Sequence, residues 1–197
     1  TSMSSLTLNL LGRPCCANAA SLQPVAPWRF PRPLSLLQLA FCLLLLTLLT
    51  ACEPNVATLQ KGAPAPAFAL ERLDGPGVRF PEQYRGQVVA LRFWADWCPY
   101  CHDEMKALEP VYRQYRDRGL VILAINVLQP PETVRPFVQE LNISYEVLLD
   151  RQGEVMRRYQ VMGLPMTFII DRQGIVHNRL VGESTPEVFA QAINSLL

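Results

Sequence analysis

Two cysteines with two residues between them, in Trp94-Ala95-Asp96-Trp97-Cys98-Pro99-Tyr100-Cys101-His102, are the side chains of this sequence best suited to chemistry. A C-x-x-C pair can cycle between dithiol and disulfide, since the second sulfur faces back toward the first. C-x-x-C-H can instead hold a covalently attached haem, with His102 as iron ligand and Met162 or Met166 as a second axial ligand. Half of a zinc site is a third use. Beyond Cys52 only His102 and His177 are left to complete it, and His102 adjoins Cys101, so a closed tetrahedral set is not at hand. A copper-carrying site built from the dithiol with Met and His is a fourth.

The other cysteines narrow the choice. Of six in the chain, Cys15, Cys16 and Cys42 lie in an N-terminal presequence and Cys52 closes it. Only Cys98 and Cys101 remain downstream. Structural disulfides of exported domains staple distant segments, and a loop this short stabilises little. Chemistry explains the pair better than architecture does.

The elements around the pair read as a layered α/β domain. The run 88–94, VVALRFW, is mainly apolar, as expected of a central strand covered on both faces. Met105, Leu108, Val111, Tyr112 and Tyr115 recur at spacings of three and four, predicting a helix over 99–118 that Gly119 ends and Pro110 kinks. A second buried strand spans 120–128, a helix 132–141 follows Pro131, a third strand covers 147–149, and a short helix covers 154–159. Two strands, 166–170 and 175–180, flank the turn Asp171-Arg172-Gln173-Gly174. Thr185 suits the N-cap and Pro186 the first position of a last helix. Upstream, 68–73 and 78–80 are strand-like pieces around Asp74-Gly75-Pro76-Gly77. This order predicts parallel strands in the middle of a mixed sheet and antiparallel pairs at its edge.

On this layout Cys98 falls in the turn between a buried strand and a helix, with Pro99 at the first helical position. The free N–H groups and dipole of the helix favour a thiolate, which makes Cys98 the attacking sulfur and Cys101 the resolving one. Glu104, three residues beyond Cys101, could take the Cys101 proton if partly buried; by spacing alone it reads as an ordinary exposed first-turn acid. Pro165, before a strand, reads by pattern as a plain strand-opening residue rather than a cis one.

Bulk properties bear on where the domain works. A formal net charge of +1 without a Lys/Arg cluster gives no reason to expect nucleic acid. Half of the residues are hydrophobic, and the excess is concentrated in the uncharged run 34–51. Arg29 and Arg32 precede that run and no basic residue follows until Lys61, so the positive-inside bias carries everything after Cys52 across a membrane. Leu49-Thr50-Ala51-Cys52 resembles the bacterial lipobox, which implies cleavage before Cys52 and a lipid on its sulfur; an uncleaved N-terminal helix is the alternative. The expected organisation is a presequence over 1–51, a Pro- and Ala-rich tether over 52–66 and one domain over 67–197.

FWADWCPYC, Glu104 and VMGLPMTFIID together resemble the thioredoxin superfamily, nearest its membrane-anchored TlpA/ResA-like thiol-disulfide oxidoreductases, from Pro66 to the C-terminus. The resemblance implies a thioredoxin fold with an N-terminal strand extension. It implies Cys98 as nucleophile, Cys101 as resolving thiol, Pro165 as a cis-proline beside them and Glu104 as the acid that tunes the pair. It also implies reduction of protein disulfides, such as those of apocytochromes, with electrons from a membrane dithiol carrier and no prosthetic group. Trp97, Pro99, Tyr100, Leu164 and Pro165 would form the substrate rim. Three departures stand out: Arg92 where thioredoxin itself has a buried acid, the dipeptide Pro99-Tyr100, which is that of glutaredoxins, and Met166 where Thr is commoner. Arg92 could pair with Asp96 or with Glu104. A peroxidase of the peroxiredoxin type would need a Pro and a hydroxyl where Leu91 and Ala95 stand, and an adhesin or scaffold would have no use for the dithiol.

Overall fold

A computed structural model describes Gln38 and residues 59–197. Apart from Gln38, the apolar run 34–51 lies outside the described residues, as do Cys52 and residues 53–58 of the expected tether. Among the described residues no helix is long and apolar enough to cross a membrane.

The domain is built from β1 (Phe68–Arg72), β2 (Val78–Phe80), β3 (Val88–Trp94), α1 (Cys101–Tyr115), β4 (Leu120–Val127), α2 (Pro131–Leu141), β5 (Glu146–Asp150), α3 (Glu154–Arg158), β6 (Met166–Ile170), β7 (Val176–Val181) and α4 (Pro186–Asn194). The strands form one seven-stranded sheet in the order β2-β1-β5-β4-β3-β6-β7. β3, β4 and β5 are parallel, joined through α1 and α2. β6 runs antiparallel to β3, and β7 to β6, on one side. On the other side β1 adds antiparallel to β5 and β2 to β1, which is the N-terminal extension.

β3 is buried along its whole length. Strand geometry sends alternate side chains to opposite faces. Ala90 and Trp94 join Met105, Leu108, Phe189 and Ile193 under α1, α2 and α4. Val89, Leu91 and Phe93 face the opposite way, onto Phe68, Phe80, Tyr159 and Phe168, with α3 on that side. Two cores, each closed by a different set of elements, explain why the strand shows no polar alternation. Each fully buried Leu or Phe contributes roughly 1.5–3 kcal/mol to this arrangement.

α1 runs through Pro110, which lies on the solvent side. The exposed residue Lys106 bears the carbonyl that loses its intrahelical donor there, so water can satisfy it. Pro136 is likewise exposed inside α2, in its second turn. A short 3-10 turn over Arg116–Arg118 ends the α1 region at Gly119, whose φ of 96° is left-handed. A Cβ there would meet Arg172 Nη1 at 3.1 Å, and Arg172 donates to the Gly86 and Arg118 carbonyls at 2.8 and 3.1 Å. Thr185 caps α4, accepting from the Val188 N–H at 3.4 Å, with Pro186 following at its first turn as expected.

Candidate active site

The chain leaves β3 at Trp94 and turns immediately. The Cys98 N–H donates to the Ala95 carbonyl at 3.2 Å and the Cys101 N–H to the Cys98 carbonyl at 3.1 Å. Cys101 therefore closes a tight turn before it opens α1, so the helix begins at Cys101, not at Pro99. The expected placement of Pro99 at the first helical position is corrected: Pro99 and Tyr100 belong to the turn, and Cys98 lies just outside the helix mouth. The two cysteines are joined as a disulfide with their Cα atoms 5.4 Å apart. That bond is the redox pairing among the alternatives open to C-x-x-C-H.

His102 is occupied in another way. Its Nδ1 lies 2.8 Å from Asp103 Oδ1 and its Nε2 3.6 Å from Glu140 Oε1, with the ring edge-on to Phe137. Phe137 in turn stacks on Trp94 at 5.0 Å between centroids. His102 thus helps seat α1 on α2. Met166 is buried among the apolar residues behind the sheet, so its side chain packs there and does not form part of the rim facing a substrate.

Around the disulfide the surface is apolar and open. Cys98 and Cys101 are 2% and 0% exposed, whereas Trp97 and Tyr100 are 65% and 58% exposed. Pro99 is exposed between them, and Met162 also projects into solvent. The Leu164–Pro165 bond is cis. Because Met166 pairs with Phe93 at the end of β3, that corner sits at the same end of the sheet as the cysteine turn. Leu164 is half-buried against the core that contains both cysteines. The structure thus gathers Trp97, Cys98, Pro99, Tyr100, Cys101, Leu164 and Pro165 at one end of the sheet. A second cis bond, Phe80–Pro81, is marked by no pattern in the sequence.

One helical turn after Cys101 lies a buried polar network. Glu104 is 4% exposed, not the exposed first-turn acid that spacing alone suggested. Arg92 Nη1 donates to Glu104 Oε1 at 2.8 Å and to Thr167 Oγ1 at 3.1 Å. Arg92 Nη2 stands 2.7 Å from Glu104 Oε2 as an ion pair without hydrogen-bond alignment. Ser184 Oγ, from the loop between β7 and α4, donates to Glu104 Oε1 at 2.7 Å. The choice between Asp96 and Glu104 as partner of Arg92 falls to Glu104. Tyr145 borders the network and donates to the Met105 carbonyl at 2.7 Å. Burial pushes its phenol far up, so it stays a neutral donor.

Asp96 has a different role. Its N–H donates to Gln129 Oε1 at 3.0 Å, Gln129 Nε2 returns a bond to Asp96 Oδ1, and Asn126 Nδ2 donates to Gln129 Oε1 at 2.9 Å. This amide clamp ties the segment ahead of the cysteines to the end of β4. Sequence reasoning missed Gln129, Ser184, Thr167 and Tyr145. Each is a common polar residue whose partner lies far away in the chain, and no local pattern marks it.

A mixed sheet with helices on both faces, carrying a C-x-x-C disulfide at the turn into its first long helix, defines a thioredoxin-fold thiol-disulfide protein. Comparison with known proteins agrees. Residues 61–179 match the model of the AhpC/TSA family. The chain is 37% identical over 135 residues to the thiol-disulfide oxidoreductase ResA of Geobacillus thermodenitrificans, covering 68% of this chain and 77% of that protein. It is 32% identical over 139 residues to the thioredoxin-like protein YneN of Bacillus subtilis, covering 69% and 80%. Among solved structures, a Chlorobium tepidum protein assigned as thiol:disulfide interchange protein DsbE superposes with a TM-score of 0.66 at 31% identity, covering 70% of this chain and 98% of that one. StoA of Bacillus subtilis shares the fold, with a TM-score of 0.58 at 23% identity over 66% and 98% of the two chains. The chain belongs to the thioredoxin-like AhpC/TSA family, among its thiol-disulfide oxidoreductases.

Proposed function

We propose that this oxidoreductase is tethered outside the cytoplasm and reduces protein disulfides, with Cys98 as nucleophile and Cys101 as resolving thiol. The observation that carries the reading is the Cys98–Cys101 bond at the mouth of α1, shielded below and bordered by exposed Trp97 and Tyr100. In the reduced protein the Cys98 thiolate attacks one sulfur of a substrate disulfide. That S–S bond breaks and the other substrate sulfur leaves as a thiolate. Cys101 then gives up its proton and attacks Cys98 Sγ, the intermolecular bond breaks, and the second substrate sulfur departs. Two electrons have passed to the substrate, its two thiols take one proton given up by Cys101 and one from water, and the intramolecular disulfide seen here remains.

Trp97, Pro99, Tyr100, Leu164 and Pro165 form the rim that receives the substrate, and Glu104 sets the electrostatics below the pair. A membrane dithiol carrier returns the electrons. Cys52, following Leu49-Thr50-Ala51, is the lipid attachment site and the residues directly after it form the tether, so the domain works on the periplasmic side of the envelope. Cysteine pairs of apocytochromes, kept reduced ahead of haem attachment, are the substrate class.

A redox titration of the Cys98/Cys101 couple, followed by trapping with Cys101→Ser, tests the reading. A reversible two-electron couple and a stable mixed disulfide through Cys98 are expected. Cysteines that do not bridge reversibly, or a Cys101→Ser variant that captures nothing, would overturn it.

A further inference from the structure

The groups around Glu104 are donors. Arg92 Nη1 and Ser184 Oγ both donate to Oε1, at 2.8 and 2.7 Å, and Arg92 Nη2 faces Oε2 at 2.7 Å. A protonated carboxyl needs an acceptor for its own proton. Arg92 offers none, being charged at every accessible pH, and only the Ser184 hydroxyl could turn round to accept. The remaining neighbours are already committed. Thr167 Oγ1 accepts from Arg92, and the neutral Tyr145 phenol is spent on the Met105 carbonyl. Glu109, the next acid along α1, is held by Arg113 and Ser144. Protonating Glu104 would also leave the Arg92 guanidinium, 1% exposed, as an uncompensated buried charge.

We propose that Arg92 is a positioning residue that keeps Glu104 ionised through the redox cycle, so that Glu104 is a fixed countercharge and not the base that takes the Cys101 proton. The inference rests on the dithiol reading above and deepens it. The Cys101 proton then has to leave with the departing substrate thiolate or through water, since taking it up would leave Arg92 uncompensated and give Glu104 a proton that only the Ser184 hydroxyl could accept. Arg92 also decides the local field. With the pair intact, the charge one helical turn on from Cys101 is balanced; without Arg92 a bare anion stands there, which disfavours a thiolate. The loop carrying Ser184 belongs to the same device, because the N–H of Gly182 in that loop donates to the Pro165 carbonyl at 2.9 Å.

The test is the pH dependence of iodoacetamide alkylation at Cys98 in the reduced full-length chain, for wild type, Glu104→Gln, Arg92→Gln, Arg92→Lys and the double variant Arg92→Gln/Glu104→Gln. Wild type should show a single ionisation, that of the thiol. Glu104→Gln should keep a single ionisation, moved to lower pH by the now unbalanced Arg92. Arg92→Gln should gain a second inflection from the released carboxylate. At neutral pH it should react about tenfold more slowly than the double variant, the effect of one pKa unit on thiolate population. The double variant should return to one ionisation, and Arg92→Lys should retain one. Should Arg92→Gln fail to fold, wild type against Glu104→Gln still decides. A second inflection in wild type that Glu104→Gln removes would show that Glu104 titrates beside Arg92, and would overturn the inference alone. Wild-type cysteines that fail to cycle at all would instead overturn the dithiol reading, and the inference with it.

Discussion

Ser184 Oγ and Glu104 Oε1 meet at 2.7 Å across 80 residues of chain. The contact links the loop ahead of α4 to the helix that begins with Cys101. Gly182, two residues earlier, holds the Pro165 carbonyl, so one short loop touches both the proline corner and the carboxylate one turn after Cys101.

Removing that hydroxyl should be felt in stability. Ser184→Ala deletes a hydrogen bond to a buried charged acceptor, a loss of roughly 1.5–3 kcal/mol. Urea unfolding of the oxidised protein should show the midpoint fall at unchanged slope, and Ser184→Thr should recover most of it. An unshifted midpoint for Ser184→Ala would mean that the contact contributes nothing.

Glu109 predicts an acid limb in the stability profile. Burial pushes its carboxyl up, but the Ser144 hydroxyl and N–H and the Arg113 guanidinium outweigh it and hold the group below the ordinary carboxylate range. A folded-state value below the unfolded one means stabilisation that is complete above the unfolded pKa, about 4.3, and is lost as pH falls through the lowered value. Urea midpoints from neutral pH down to about pH 3 should therefore decline less steeply in Glu109→Gln than in wild type. Parallel curves would refute this role for Glu109.

The amide clamp on the cysteine segment can be opened at its centre. Gln129→Ala leaves the Asp96 N–H and the Asn126 amide without their shared acceptor, which costs roughly 1–3 kcal/mol. Amide hydrogen exchange at Asp96 should accelerate, while exchange in the middle of β4 should follow only the global loss of stability. Unchanged protection at Asp96 would show that the clamp does not hold the segment.

At the rim the reverse pattern is expected. Trp97 and Tyr100 project into solvent, so Trp97→Ala and Tyr100→Ala should each alter unfolding free energy by no more than about 0.5 kcal/mol. Their effect should fall on KM for a protein disulfide, raised severalfold, with the Cys98 alkylation rate nearly unchanged. Wild-type KM in both variants would remove these aromatics from the substrate surface.

Much of the fold is legible in the order and type of the residues. Residues 88–94 have to be a covered strand because no alternation of polarity spares either face. Met105, Leu108 and Tyr115 have to share a helical face because their spacing allows nothing else. These are local consequences of backbone period, and they put Cys98 and Cys101 at a strand-to-helix turn. The helix starts at Cys101 instead of Pro99 because the turn closes through the backbone bond between the Cys101 N–H and the Cys98 carbonyl, which side-chain types do not disclose.

The chain alone determined the chemistry on offer: a vicinal pair of sulfurs, an acid one helical turn on, and a charged side chain set into an apolar strand. Tertiary structure alone decided what the charges do. Arg92 could reach Asp96 or Glu104 by sequence, and only packing of α1 over β3 chose Glu104, while Gln129 took Asp96. The physical reason is that a buried ion needs every surrounding donor and acceptor satisfied at once, and those partners come from β3, α1, β6 and the loop after β7, segments that meet only when the sheet is complete.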